Sequence, residues 1–282
     1  MSEEISSHII QGEPGESPSP PLFDYDAWGY DEDGLIHHQL YGQWWPSDKR
    51  IERLDIELAL FRCSHPPEKG GLGKYGHLRE CIDLLWNSGQ KQHVEWNPWL
   101  EKMLEECCES EFLSVAGCSS SGKSFGGAIY AIVNFLSNPA KTLVLVTSTS
   151  IGAAKKRIWK SVIELWNALP TYYKGLGRIK PSVHMIHYQP PDGTTASEAS
   201  SISLVAAEQK QEASAVAKLV GLKNERVILI ADELCELSPA VIAATDNLIS
   251  NPEFQMIAMS NPKGREDPFG LMCEPINGWS EI

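Results

Sequence analysis

Residues Gly117-Cys118-Ser119-Ser120-Ser121-Gly122-Lys123-Ser124 have the types and spacing of a phosphate-binding loop, G-x-x-x-x-G-K-[ST]. Average residue frequencies would produce such a match by accident in about one chain in a hundred of this length, so the flanks decide. Phe112 to Ala116 is an apolar, strand-like run directly before the loop, and Ser124 to Val133 is helix-like directly after it. Strand, loop and helix is the order the chemistry needs. The backbone N–H groups of Ser119 through Lys123 would wrap a β-phosphate. Gly117 and Gly122 would let the main chain turn and come close without a Cβ in the way. The helix starting near Lys123 aims its positive end at the same anion. Lys123 would reach the β- and γ-oxygens as a point charge, and the Ser124 hydroxyl would ligate Mg²⁺. The loop thus implies a nucleoside triphosphate, ATP, with Mg²⁺; the plainer alternative is a Gly/Ser-rich turn capping an ordinary helix.

A nucleotide site also needs a carboxylate at the end of a neighbouring strand. Val227-Ile228-Leu229-Ile230-Ala231-Asp232-Glu233 offers one. Four large apolar residues in a row suggest a strand buried on both faces, hence central and parallel. Asp232 would hold the metal, and Glu233 would polarise the attacking water as general base. Otherwise the two acids simply cap the helix beginning near Ser238. A third run, Phe254 to Met259, ends in Ser260-Asn261-Pro262-Lys263-Gly264. Ser260 and Asn261 would sense the γ-phosphate or position the water, or they close a strand as an ordinary turn.

The elements that must position these groups are legible as alternating patterns. Strands are expected at 112–116, 142–148, 201–206, 227–231 and 254–259, with helices at 123–137, 151–168 and 238–249. Residues 183–189 read as an extra strand forming a hairpin with 201–206. Helical spacing also covers 48–62, 77–86 and 98–109. The fold class this implies is α/β: a P-loop NTPase with a mostly parallel central sheet flanked by helices, of the additional-strand, catalytic-glutamate type. The chain divides into three stretches: a disordered acidic, Pro-rich arm over 1–35, a helical extension with an adenine-side segment over 36–110, and the ATPase core over 111–282.

The chain has 282 residues and a formal net charge of −13. Nine acidic residues and no Lys or Arg fall within residues 1–35, leaving a charge of about −4 for the remainder. That balance argues against nucleic-acid binding over the whole surface, while leaving room for local basic tracks. The candidates are Lys155-Lys156-Arg157 with Lys160, and Lys174, Arg178 and Lys180; each also reads as a solvated face. No run is long enough for a transmembrane helix and no secretion signal is present. Seven cysteines without metal-like spacing fit a reducing compartment.

Taken together, Gly117–Ser124, Ile228–Glu233, Ser260-Asn261-Pro262 and the aromatic/Pro segment Glu95 to Leu104 resemble the ATPase domain of the large terminase subunit of tailed bacteriophages, over roughly residues 75–282. The resemblance implies an ATP-hydrolysing motor that drives double-stranded DNA into a procapsid in the host cytoplasm. It also implies a portal protein and a small terminase subunit as partners, assembly as a homo-oligomeric ring, and a nuclease domain beyond residue 282. Ser260 and Asn261 would then be the coupling motif. The chain departs from the family in two places. The loop interior carries no Arg, so an arginine at the γ-phosphate must come from elsewhere. Arg226 is the first candidate, inserted by a neighbouring subunit, with Arg157 and Arg178 behind it and Lys218 and Lys223 as basic alternates. The adenine segment often presents Gln, and here Leu100 takes that position. The base would rest on Trp99 or Trp96, unless both are core packing. A helicase-like, nucleic-acid-stimulated ATPase and a nucleotide-gated assembly module remain the competing readings.

Overall fold

The computed structural model describes residues 28–30, 36–38, 52–65, 72–88, 92–190, 193–207, 223–275 and 278. A short antiparallel ladder, β1 (Trp28–Tyr30) with β2 (Ile36–His38), crosses the expected boundary at residue 35. The rest of the arm over 1–35 lies outside the described residues. Helices α1 (Glu52–Ser64), α2 (Gly73–Ile82) and α3 (Pro98–Glu109) come next, α2 running into one wider turn over Asp83–Asn87. The sheet begins at β3 (Phe112–Ala116). After it come α4 (Lys123–Ser137), β4 (Thr142–Ser148), α5 (Ile151–Lys156), α6 (Ile158–Ala168) and α7 (Thr171–Gly175). The remaining strands are β5 (Gly177–Lys180), β6 (Met185–Tyr188), β7 (Ser201–Ala206), β8 (Arg226–Asp232) and β9 (Glu253–Ser260). Helices Ala240–Leu248 and Pro268–Met272 complete the described core.

The seven strands lie in the order β3-β9-β8-β4-β7-β6-β5. From β3 to β7 every pairing is parallel, and β6 and β5 then add antiparallel. Burial explains the order. β4 is buried at every position and β8 at all but its first residue, so both need cover on two faces and sit centrally. β3 is only partly buried and takes an edge.

Period-two alternation sorts each central strand onto two cores. Val144, Val146, Ile228, Ile230, Ile257 and Met259 face the helices α1 to α4 and α6. Leu143, Leu145, Val227, Leu229, Met256 and Ala258 face helix Ala240–Leu248 and Phe269. Because α1, α2 and α3 bury Leu60, Leu78 and Leu104 in the same core as Ile129 of α4, residue 110 does not divide two cores.

α4 is apolar nearly all round because it is sandwiched between sheet and outer helices. The close approach depends on two glycines. A Cβ at Gly126 would stand 2.9 Å from the Met103 sulfur of α3, and one at Gly127 would stand 3.0 Å from Met259 of β9. The helix expected over 151–168 is broken in two. Arg157 leaves helical geometry at φ −119°, ψ −108°, so α5 and α6 run as separate pieces. Local spacing could not show the break, since apolar residues continue at helical intervals through it. The hairpin of β6 with β7 forms as expected, and β5 adds a strand the sequence did not announce.

Candidate functional site

Parallel strands direct their carboxyl ends to one edge of the sheet, and the loop, Asp232, Glu233 and Ser260 all meet there. The Ala116↔Ser260 register puts the start of the loop beside the tip of β9, where Gly117 N–H donates to Ser260 O at 3.1 Å. The loop then needs two left-handed residues, Ser120 at φ 64° and Gly122 at φ 90°, the second ending directly at the first turn of α4. Cys118, Ser119 and Ser120 are exposed, so this part of the loop faces solvent. Lys123 is buried, and its Nζ donates to Gly117 O at 2.5 Å and Cys118 O at 2.8 Å, with Ser121 Oγ at 3.5 Å. The loop thereby folds around its own ammonium.

Ser124 Oγ donates to Asp232 Oδ1 at 2.9 Å, joining two residues 108 apart in sequence. Asp232 is 1% exposed, and its second oxygen, Oδ2, is buried without a hydrogen-bond partner. Burial pushes the Asp232 carboxyl above the usual range, and the Ser124 hydroxyl and the Arg157 guanidinium oppose that shift less strongly. An orphaned carboxylate oxygen beside a serine hydroxyl suits a hard cation with oxygen ligands. Among the described residues no three His, Cys, Asp or Glu gather as a metal cage. A magnesium ion here would therefore take its remaining ligands from phosphate and water, which is how it is usually held.

Glu233 sits at φ 59°, a conformation that costs a side-chain-bearing residue about 1 kcal/mol or more. The next residue, Leu234, is fully buried at the start of the short turn over Leu234–Glu236. The Glu233 carboxylate accepts an ion pair from Arg157 NH1 at 3.4 Å, and Arg157 Nε stands 4.0 Å from Asp232 Oδ2. Ser260 is fully buried, and its Oγ accepts from Cys235 N–H at 3.2 Å. Its hydroxyl and carbonyl thus tie the turn after Glu233 to the base of the loop, while Asn261 beside it is exposed.

Next to the loop lies a cavity of about 320 Å³ lined by Gln92, Glu95, Asn97, Trp99, Gly122 and Phe125, among others. Trp99 closes it at the loop: a Cβ on Gly122 would lie 3.9 Å from its ring. Trp96 is turned away, donating its indole N–H to Asp83 at 2.7 Å under the Arg79 guanidinium. Leu100 lines the cavity from a core position, with its backbone N–H capped by Asn97.

Arg226 is not brought to this site. It opens β8 at the far edge of the sheet, where Nε donates to Glu253 at 2.7 Å and NH1 to Ser137 Oγ at 3.1 Å. Its side chain is 15% exposed and committed to those partners, so its place does not favour a finger offered to a neighbour. Lys218 lies outside the described residues. Arg178 is exposed on β5, opposite His187 at the other flank of the sheet, and Lys223 is exposed just before β8. The sequence reading named Arg157 only behind Arg226, as an arginine from a neighbouring subunit, and did not single out Gln92 or Phe125. Gln92 carried a signal, since it is an amide just upstream of the Trp/Pro segment.

No family model matches the chain and no curated protein matches it. Among solved structures it is similar to the crystal structure of the HK97 bacteriophage large terminase, with a TM-score of 0.49 and 15% identity, over 66% of this chain and 37% of that one. It is similar to the large terminase ATPase domain of Thermus phage P74-26 with a TM-score of 0.43 and 15% identity, over 61% and 66% of the two chains. A point mutant of that domain gives a TM-score of 0.45 and 16% identity, over 61% and 67%. The chain thus spans little more than a third of the HK97 protein's length.

The burial of Asp232 carries an expectation for stability. Its folded-state pKa is raised, so protonation stabilises the fold. That contribution is complete below the ordinary Asp range and is lost as pH rises through the raised value. Above the raised value the ionised group is therefore a net cost. Asp232→Asn is expected to raise the melting temperature of the nucleotide-free protein, on the order of a few degrees, and to abolish any further stabilisation on adding Mg²⁺ with nucleotide. Thermal melts with and without Mg²⁺–ADP check both halves.

Proposed function

We infer that this chain is an ATP-hydrolysing motor domain of the large terminase type, acting on double-stranded DNA during packaging into a procapsid. The observation that carries the reading is the Ser124–Asp232 contact, with the orphaned Asp232 oxygen, Lys123 and Glu233 around it. The loop Gly117-Cys118-Ser119-Ser120-Ser121-Gly122 cradles the phosphates, with the N–H groups of Ser119 through Lys123 donating to them and Gly117 shaping the turn. Lys123 leaves the loop carbonyls for the β- and γ-oxygens, and Trp99 stacks on the base. Ser124 and Asp232 would hold Mg²⁺, which when bound neutralises charge building on the β- and γ-oxygens. Glu233 takes a proton from water as its oxygen bonds to the γ-phosphorus. The bond to the bridging oxygen breaks, and ADP and phosphate leave. Ser260, tied to both the loop and the turn after Glu233, relays that loss along β9, and Asn261 presents it at the surface.

DNA, a portal protein, a small terminase subunit, a homo-oligomeric ring and a place in the host cytoplasm belong to this same reading, supported by the sequence resemblance. No described helix is long and apolar enough to cross a membrane. Phosphate release measured with Mg²⁺, with and without linear duplex, tests the reading. Mg²⁺-dependent turnover that rises with duplex is expected. Stimulation by single strands alone would move the protein to the helicases, and binding without turnover would make it an assembly module. Failure to bind ATP at all would overturn the reading.

A further inference from the structure

The loop carries no arginine, and Arg226 is engaged at the opposite edge of the sheet. Arg157 contacts both candidate carboxylates, through NH1 to Glu233 and through Nε to Asp232 Oδ2. Its position is built by the fold. β4 is the direct neighbour of β8, so the helix leaving β4 starts beside Asp232. Ser150 caps that helix, its Oγ accepting from Ala153 N–H at 3.1 Å, and the break after Lys156 sets Arg157 at the corner between α5 and α6. The side chain is 34% exposed, and its contacts to the two carboxylates, at 3.4 and 4.0 Å, are longer than close hydrogen bonds.

We propose that Arg157 is the γ-phosphate arginine of this site, supplied in cis, and that it exchanges Glu233 and Asp232 for γ-phosphate oxygens when a triphosphate binds. The proposal rests on the ATPase reading above. A guanidinium paired with Glu233 occupies the carboxylate that would otherwise face the attacking water. A bound γ-phosphate presents a planar pair of oxygens with higher charge than one carboxylate, and the arginine fork matches that edge. Moving there frees Glu233 and places a fixed positive charge where negative charge develops during transfer. With diphosphate alone the attraction is absent, and Arg157 returns to the carboxylates. The exchange makes the state of the base depend on the γ-phosphate without help from a second subunit.

The test is equilibrium titration of fluorescent ATP and ADP analogues with Mg²⁺ into wild type, Arg157→Ala and Arg157→Lys, alongside single-turnover hydrolysis. Arg157→Ala is expected to weaken the triphosphate about tenfold or more, leave the diphosphate within about twofold, and cut turnover by at least ~10²-fold. Arg157→Lys keeps the charge without the fork and should recover part of the triphosphate binding but little of the rate. If Arg157→Ala melts without cooperativity, the comparison is read on Arg157→Lys. Equal weakening of both nucleotides would make Arg157 a structural support. Unchanged or tighter triphosphate binding would remove it from the γ-phosphate. Wild type that binds neither nucleotide would sink the ATPase reading itself, an outcome distinct from a wild type that binds both and a variant that keeps the difference.

Discussion

Glu233→Gln leaves ATP bound and slows hydrolysis by about 10²- to 10⁴-fold, the span that a positioned general base contributes. The replacement is close to isosteric, and the left-handed backbone at Glu233 costs Gln no more than Glu. Two electrostatic changes accompany it. The ion pair to Arg157 is lost, and one negative charge disappears from beside the γ-phosphate. Both favour the triphosphate, so ATP affinity is expected to be equal or higher while the chemical step fails. Single-turnover hydrolysis with pre-bound ATP separates these quantities. A rate within a factor of a few of wild type would take the base role away from Glu233.

Lys123→Ala acts on binding rather than on the chemical step alone. Hydrogen bonds to charged groups are worth about 1.5–3 kcal/mol each, which corresponds to a ~10- to 150-fold loss of nucleotide affinity for one such contact. The loop loses its internal tie as well, because the ammonium joins the Gly117 and Cys118 carbonyls. Those carbonyls sit near solvent in a loop, so the melting temperature should move little. The contrast with Asp232→Asn is informative: one substitution removes binding at nearly constant stability, while the other removes it as stability rises. Calorimetric titration and thermal melts on the two variants give both comparisons. A Lys123→Ala protein with wild-type affinity would leave the phosphate loop without its defining role.

Much of the architecture is readable from local pattern. The strands expected at 112–116, 142–148 and 201–206 match the observed bounds, and those at 227–231 and 254–259 fall short by one residue at each end. The helices over 98–109 and 123–137 also match. In each case the signal is local. Asn97 and Pro98 start α3 by capping and by a pre-set φ, and continuous apolar runs mark strands covered on both faces. The break at Arg157 escapes because the apolar spacing runs straight through it. Residue 110 reads as a boundary because helical spacing gives way to the first strand of the sheet there, whereas burial joins the helices on both sides of it in one core.

By itself the sequence determined the segment Gly117–Ser124 between a strand and a helix, the Asp232-Glu233 pair at a strand end, the run that ends at Ser260, and the kind of sheet that carries them. These depend on neighbours within a turn or a strand pleat, and such distances are written in residue spacing. Tertiary structure alone decided that Trp99 rather than Trp96 faces the cavity, that Ser260 spends its hydroxyl on Cys235, that Arg226 pairs with Glu253 away from the loop, and that Arg157 stands beside Glu233 and Asp232. Each of those depends on which strand lies beside which, and strand order is set by how two apolar cores are covered across the whole sheet. No stretch of the chain records that order locally, because the residues that meet are far apart in it.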